Sequence, residues 1–384
     1  MKILYALQAK GCFSGNLNTL GGRTAHVVGV VEALRRLRHE ILFVSFEPLP
    51  KILSLSISQV RFRPINDKWP LGWLRRQWLV TMDLISIIRE QRPHLLYVRW
   101  SPNVFFGCVR RRFPDLAIAL ECNTPQEMSA AKPHRSQAHR VRARLYDRAY
   151  VRSATVISAV SQEVRDFLLA HHSDLSPDQI IVNPNGVDTE RFQPCASDVR
   201  ERYGIPADTV VVGFAGNFRQ YHRIDLLIDA VQQIEEPDVR ALIVGTGPPE
   251  IIQAFRSRIA DVCKKRFVFT GAVPFAEMPA HLAACDILMA PRDPAIHGSP
   301  IKLFEYMAVG KVVAAARVGQ QDGVIQDGVN GCLFEPTVEG ACEVLRRLAV
   351  DPALRARLGA QARADAVEKH SWERNVTAIL DAMG

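Results

Sequence analysis

Residues 183–198 read NPNGVDTERFQPCASD. Prolines, asparagines, aspartates and a glycine crowd this stretch, and each supplies turn geometry while breaking helical and strand periodicity. It therefore reads as a connector between domains, and 384 residues are more than one hydrophobic core usually organises.

On either side of the connector the same rhythm appears. Upstream, short apolar runs at Ile3–Leu7, Ile41–Ser45, Leu95–Arg99, Ala117–Glu121 and Thr155–Ala159 alternate with helical patterns at His26–Leu37, Thr81–Glu90 and Ser136–Arg152. Downstream, Val210–Ala215 is followed by a helical Ile224–Ile234 and by strands at Ala241–Val244, Phe267–Thr270, Ile287–Ala290 and Val312–Ala315. Strand–helix alternation is the order of βαβ units around parallel sheets, so two α/β halves are expected. The boundaries follow as 1–185 and 186–367, with a last helix at about 368–384 returning to the first half.

Bulk properties narrow the class. The chain is 48% hydrophobic and 23% charged, and no run of eighteen apolar residues could span a bilayer. MKILYALQAKG at the start reads as a strand rather than an export signal, so a cytoplasmic protein is expected. Eight cysteines lie singly, without CxxC pairs or zinc spacing, and neither a metal nor a bound cofactor is expected. Residues 1–190 carry 26 Lys/Arg against 16 Asp/Glu, whereas residues 191–384 carry 22 against 24. A basic first half suits an anionic membrane surface or a lipid diphosphate; no helix-turn-helix, zinc finger or aromatic stacking signature accompanies it, which argues against nucleic acid.

Three places carry chemistry. Gly21-Gly22 ends the loop after the first strand and opens a helix, where free amides and the helix dipole attract phosphate; an ordinary turn is the competing reading. It is not the GxGxxG of a dinucleotide site. GNFRQYHRID (216–225) places Arg219, His222 and Arg223 at the end of a parallel strand, where open α/β sheets bind ligands; a solvated basic loop is the alternative. HGSPIKLFEYMAVG (297–310) is the most specific: Ser299 reads as N-cap and Pro300 as first-turn residue, with Lys302 beside them. A cation there opposes the helix dipole unless an anion binds. Glu305, one turn on, suits a vicinal diol, so a diphosphate beside a ribose would satisfy both groups; a surface Lys–Glu pair is the alternative.

These segments resemble the group-one family of retaining glycosyltransferases, in the family's order and over nearly the whole chain. GGRTAHVVGVVEALRRLRHEILFVS, YVRWSPN, ALECNTPQE, NPNGVDTERFQP, VVGFAGNFRQYHRIDLLIDAV, ALIVGTGP, FTGAVPFAEMPAHLAACDI and SPIKLFEYMAVGKVVAA carry the resemblance. It implies the glycosyltransferase-B architecture, two Rossmann-like domains facing each other across a deep cleft. It also implies metal-independent transfer of a sugar from a nucleotide-sugar donor, UDP-linked rather than GDP-linked, with retention at the anomeric carbon. The acceptor implied is a glycan or lipid-linked glycan of cell-surface polysaccharide or lipopolysaccharide synthesis.

Carried over by position, Glu305 would hold the ribose, Ser299, Pro300, Ile301 and Lys302 the diphosphate, Gly22 would close on the phosphates, and Val273 would meet the base through its backbone. Asn123 and Glu127 would face the sugar or acceptor, with a turn lacking any ligand role as the competing reading. The chain departs from the pattern at His297, where the first of two family glutamates stands, and at Asn217 and His222, where most members carry Arg and Lys. Whether His297 takes over the glutamate's role is left open by the sequence. Arg219 and Lys302 remain the candidates for neutralising the leaving diphosphate, with His222 beside them. A nucleotide-sugar 2-epimerase of the same fold, a catalytically silent nucleotide-sugar binder, and a transferase with a small soluble acceptor are the rival readings.

One last segment bears on location. In KPHRSQAHRVRARLYDRAYVR (132–152), Arg140, Arg144, Arg148 and Arg152 recur every fourth residue, while Val141, Leu145 and Ala149 form an apolar stripe expected to pack inward. Only Asp147 offers a counter-charge in the helix, and Arg110-Arg111-Arg112 adds to the same domain. Such a face fits peripheral association with an anionic membrane; a solvated face with scattered ion pairs is the alternative.

Overall fold

A computed structural model describes residues 1–7, 22–45, 59–62, 72–130, 135–235, 238–295 and 299–384. They form two compact units. One gathers the N-terminal strand, Arg23–Pro184 and Trp372–Gly384; the other is Asn185–Ser371 together with Gly22.

The first unit holds β1 (Lys2–Leu7), β2 (Glu40–Ser45), β3 (Gln59–Phe62), β4 (Leu95–Arg99), β5 (Ala117–Cys122), β6 (Val156–Ala159) and β7 (Ile180–Val182). All pair in parallel in the order β3-β2-β1-β4-β5-β6-β7. Leu4, Ala6, Leu96, Val98, Ile118 and Leu120 share one core with Leu84 and Ile88 of the helix Gly72–Gln91, while Ile3, Tyr5, Leu95 and Tyr97 are buried on the opposite face, so burial on both faces explains the near-continuous apolar strands. The last helix, Trp372–Asp381, packs in this unit: Trp372 meets His26 edge-on at 4.9 Å, and Asn375 Nδ2 donates to the Pro184 carbonyl at 2.6 Å.

The second unit holds β8 (Val210–Ala215), β9 (Val239–Val244), β10 (Phe267–Gly271), β11 (Ile287–Ala290), β12 (Val312–Ala316) and β13 (Cys332–Phe334), again all parallel, in the order β10-β9-β8-β11-β12-β13. Two clusters cover its faces, one around Val212, Phe214 and Ile243 and one around Val211, Leu242 and Leu288. In each sheet the order reverses beside the unit's first strand. Between β8 and β11 the chain leaves in opposite directions, which opens a crevice at the carboxyl ends of these strands.

Three strands escape the periodicity reading: β3, β7 and β13. Each is three or four residues long and lies at a sheet edge, where one neighbour suffices and the apolar pattern is short. The basic helix also differs from expectation. Within Gln137–Val151 the buried residues are Ala143, Tyr146, Asp147, Tyr150 and Val151, whereas Val141 and Leu145 are 56% and 53% exposed beside exposed Arg140, Arg144 and Arg148. Tyr146 and Tyr150 carry the packing, so the apolar stripe faces away from the core. Arg152 is tied to Asp174 at 2.5 Å, and Arg110 turns to the carbonyls of Ser153, Pro114 and Leu116. Asp147 is no counter-charge for the arginines, because it is buried and accepts from Trp100 Nε1 at 2.9 Å.

Candidate active site

The crevice between β8 and β11 is framed by two loops and a helix. After β8, Gly216 takes φ +143° and Phe218 is buried, its amide donating to the Thr246 carbonyl at 2.8 Å. A short 3₁₀ turn, Gln220–His222, then leads into the helix Ile224–Gln232. Beyond β11 come Pro291 and Arg292, and Asp293 donates its amide to the Tyr221 carbonyl at 2.9 Å. The helix Ile301–Ala308 closes the third side. Tyr306 clamps it to the end of β8: its hydroxyl accepts from the Ala215 amide at 2.7 Å and donates to the Ala215 carbonyl at 3.2 Å.

Lys302 points into this crevice. Part of the residue is exposed, but its Nζ is sealed from solvent, lies 4.1 Å from the centroid of the Phe214 ring and has no hydrogen-bond partner among the described residues. Burial, reinforced by Arg292 and partly offset by Glu305, lowers its pKa to about 7. Gly216 makes room for it, since a Cβ there would stand 2.8 Å from Nζ. His222 is buried too, and its Nδ1 meets the Asn217 carbonyl at 2.6 Å. Burial first, then the charges of Lys302, Arg292 and Arg219, depress its pKa to about 3, so the ring is neutral near pH 7 and adds hydrogen bonding rather than charge. That corrects the solvated-loop alternative for His222; Arg219 and Asn217 are exposed.

Glu305 stands one turn beyond Lys302. Burial raises its carboxyl to about 7 against the pull of Lys302 and Arg191. A buried ammonium without a partner, crowded by a second cation, costs stability unless an anion arrives. An acid one turn away then suits a neutral hydroxyl-bearing neighbour of that anion.

Ser299 is not the N-cap. Pro300, extended at φ −79° and ψ 110°, occupies that position without a side-chain bond, and the helix starts at Ile301. The Ser299 hydroxyl instead accepts from the Asn185 amide at 3.2 Å, and its carbonyl accepts from Asn185 Nδ2 at 2.8 Å. The connector thus anchors the turn before the helix and leaves the first-turn amides without a side-chain cap. Val273 is buried just past β10, at the same sheet edge. Gly22 opens the helix Gly22–Arg36, and in the first unit Asn123 follows β5 with its Nδ2 buried and unpartnered among the described residues. Gly21 and His297 lie outside the described residues.

Comparisons with known proteins bear on both units. Residues 209–351 match the family described as Glycosyl transferases group 1, and residues 20–191 match Glycosyltransferase Family 4. The chain belongs to the group 1 glycosyltransferases. The D-inositol 3-phosphate glycosyltransferase of Xylanimonas cellulosilytica is 30% identical over 241 residues, 60% of this chain and 56% of that protein. The GDP-mannose-dependent alpha-(1-6)-phosphatidylinositol monomannoside mannosyltransferase of Mycolicibacterium smegmatis is 31% identical over 49% of this chain and 52% of its own length. The chain thus spans a little over half the length of these curated relatives. Anabaena HepE in complex with UDP superposes with a TM-score of 0.79 at 21% identity, over 100% of this chain and 99% of that one, which shows the glycosyltransferase-B fold.

In this family member four contributors were not singled out in the sequence. Arg292 sits two residues past β11, a strand-end position like that of Gly216, and that position was the available signal. Arg191 bears on Glu305 and lies 5.1 Å from the Phe275 ring, while Tyr306 and Asn185 hold backbone through partners 91 and 114 residues away. Replacing Glu305 with Gln keeps one acceptor oxygen and removes the charge. Nucleotide affinity, measured by calorimetry, is expected to fall about ten- to a hundredfold, or roughly 1.5–3 kcal/mol; an unchanged affinity would place the diol elsewhere.

Proposed function

We propose that the chain transfers a sugar from a nucleotide-sugar donor to an acceptor hydroxyl with retention at the anomeric carbon. The observation that carries this reading is the sealed, unpartnered Lys302 ammonium at the β8–β11 crevice, with Arg292 and Arg219 as further cations and Glu305 one turn away. The diphosphate would neutralise Lys302 and meet the first-turn amides of Ile301–Ala308; Glu305 would accept from the ribose, and the Val273 backbone would meet the base.

As the anomeric carbon–phosphate oxygen bond breaks, negative charge grows on the diphosphate, where Lys302 and Arg219 stabilise it. The acceptor oxygen bonds to the anomeric carbon on the face the phosphate leaves, and its proton passes to a diphosphate oxygen. The protein supplies electrostatics and positioning, and no ion is assigned to the diphosphate. Asn123 and, beyond the described residues, His297 are our candidates for contact with the sugar. We read the donor as UDP-linked, which the UDP in Anabaena HepE favours; the GDP-mannose dependence of the Mycolicibacterium relative is the competing case.

A donor panel scored by thermal shift identifies the nucleotide, since a ligand at 100 times its dissociation constant adds about 2.7 kcal/mol. Nuclear magnetic resonance of the product then reads the anomeric configuration, expected to equal the donor's. Inversion would sink the retaining mechanism.

For the acceptor we propose a lipid-linked glycan met at an anionic membrane surface, with a phosphatidylinositol-linked acceptor named for one relative as precedent. Exposed Arg140, Arg144 and Arg148 interleave with exposed Val141 and Leu145, so one face offers both charge and apolar contact. Each basic side chain near such a surface contributes about 1 kcal/mol. The protein is expected to co-sediment with vesicles in proportion to anionic lipid at low salt, and Arg140/Arg144/Arg148→Glu to remain in the supernatant. Equal, negligible sedimentation of both would redirect the search to a soluble acceptor.

A further inference from the structure

In the first unit three elements bring one carboxylate, a second carboxylate and an imidazole to a single point. Glu127 stands in the first turn of the helix Gln126–Ala130, Asp147 on the helix Gln137–Val151, and His172 caps the end of the helix Gln162–His171. One ligand atom from each lies within 4.8 Å of the other two.

Their hydrogen bonding is uneven in an informative way. Asp147 is fixed: its Oδ1 accepts from Trp100 Nε1 at 2.9 Å and the Gln126 amide at 3.0 Å, and its Oδ2 from the Glu127 amide at 2.7 Å. Oδ2 keeps a lone pair. Glu127 Oε2 and His172 Nε2 are sealed from solvent and have no partner among the described residues, although His172 as a whole is 4% exposed. Glu127 Oε2 and His172 Nε2 are thus brought to the fixed Asp147 carboxylate with no hydrogen-bond partner of their own among the described residues.

We infer that Glu127, Asp147 and His172 form a divalent-cation site, binding a first-row ion of the Zn²⁺ or Mn²⁺ type through two oxygens and one nitrogen. Donors about 2.0–2.2 Å from such an ion lie roughly 3.3–3.6 Å apart, so a pair at the 4.8 Å limit must draw in by about 1 Å and a closer pair by less. Half-buried Glu127 can supply most of that movement, and its exposed side leaves a fourth position for water or an acceptor oxygen. Hard ions that require six or more oxygens fit this mixed set poorly. The Trp100 indole and the two amides act as the outer hydrogen bonds that orient a ligating carboxylate. All three residues belong to the first unit, and the inference does not depend on the transferase reading.

The test uses the full chain, dialysed against chelator and titrated with ZnCl₂ and, separately, MnCl₂ by calorimetry. One ion per chain is expected, with a rise in melting temperature, and the Glu127→Gln/His172→Gln double variant is expected to lose at least about tenfold in affinity and the thermal gain. Asp147 is left intact because it caps a helix. X-ray absorption of the zinc-loaded wild type is expected to show only nitrogen and oxygen neighbours, a readout that survives a poorly folding variant. Uptake equal in wild type and double variant, a sulfur shell, or no binding of either ion at about 100 μM would overturn the site.

Discussion

Lys302→Met is expected to lose about 10²- to 10³-fold in kcat/KM, about 2.7–4 kcal/mol, while the ligand-free protein becomes no less stable. The two halves of that result have one cause. The Lys302 ammonium is sealed over Phe214 with no hydrogen-bond partner among the described residues, and burial and the repulsion of Arg292 outweigh the pull of Glu305, so it destabilises the empty fold. Methionine preserves the stem's packing and removes the charge, so the empty protein gains what the active site loses. Thermal unfolding without nucleotide and steady-state kinetics with the best donor measure the two halves. A variant that unfolds earlier and turns over normally would show that Lys302 is structural.

The pH dependence adds an independent sign. The Lys302 pKa is depressed from 10.5 to about 7, so between these values the unfolded chain binds more protons than the folded one, and the cost falls as pH rises through that window. In Lys302→Met that rise is expected to disappear. Near pH 8 the empty site holds Lys302 largely neutral, and a bound diphosphate restores its proton. Donor binding should therefore take up a proton at pH 8, visible as a dependence of the calorimetric heat on buffer.

What could be read from the sequence follows the range of the forces involved. β8, β11 and the helix beginning near Ile224 are legible because buried parallel strands are continuous apolar runs and their helices alternate with them. Lys302 and Glu305 were legible because a cation in a helix's first turn and an acid one turn on are local anomalies. The role of Ser299 was not: Ser-Pro before an apolar run has the local chemistry of a cap, but the hydroxyl is taken by Asn185, far away in the chain, and the cap position shifts to Pro300. Val141 and Leu145 mislead for a related reason. Their stripe is as apolar as the buried one, and only the two tyrosines, Tyr150 stacked on Trp100 and Phe106 and Tyr146 edge-on to Trp73, decide which side turns inward. Arg292 belongs to no motif, and its place two residues past β11 becomes a signal only with the strand order, which brings β11 against β8.

Gly245→Ala is expected to destabilise the protein by about 2–5 kcal/mol and to damage donor binding in whatever remains folded. Gly245 follows β9 with φ +127°, a conformation that side chains disfavour, and a Cβ there would stand 1.9 Å from the Gly216 carbonyl oxygen. The collision is with backbone, so no rotamer change relieves it. Either the β9 loop retreats, breaking the bond from the Gly245 amide to the Gly271 carbonyl at 2.9 Å, or Gly216 moves, carrying with it the space that admits Lys302 Nζ. The first route lowers stability and the second misplaces the buried cation. Urea unfolding reads the stability loss as a fall in midpoint with an unchanged slope. Nucleotide affinity measured well below that midpoint reads the second route, since a simple loss of stability leaves the affinity of the folded fraction intact. A midpoint and an affinity both equal to wild type would mean that the two loops do not approach as closely as this crevice requires.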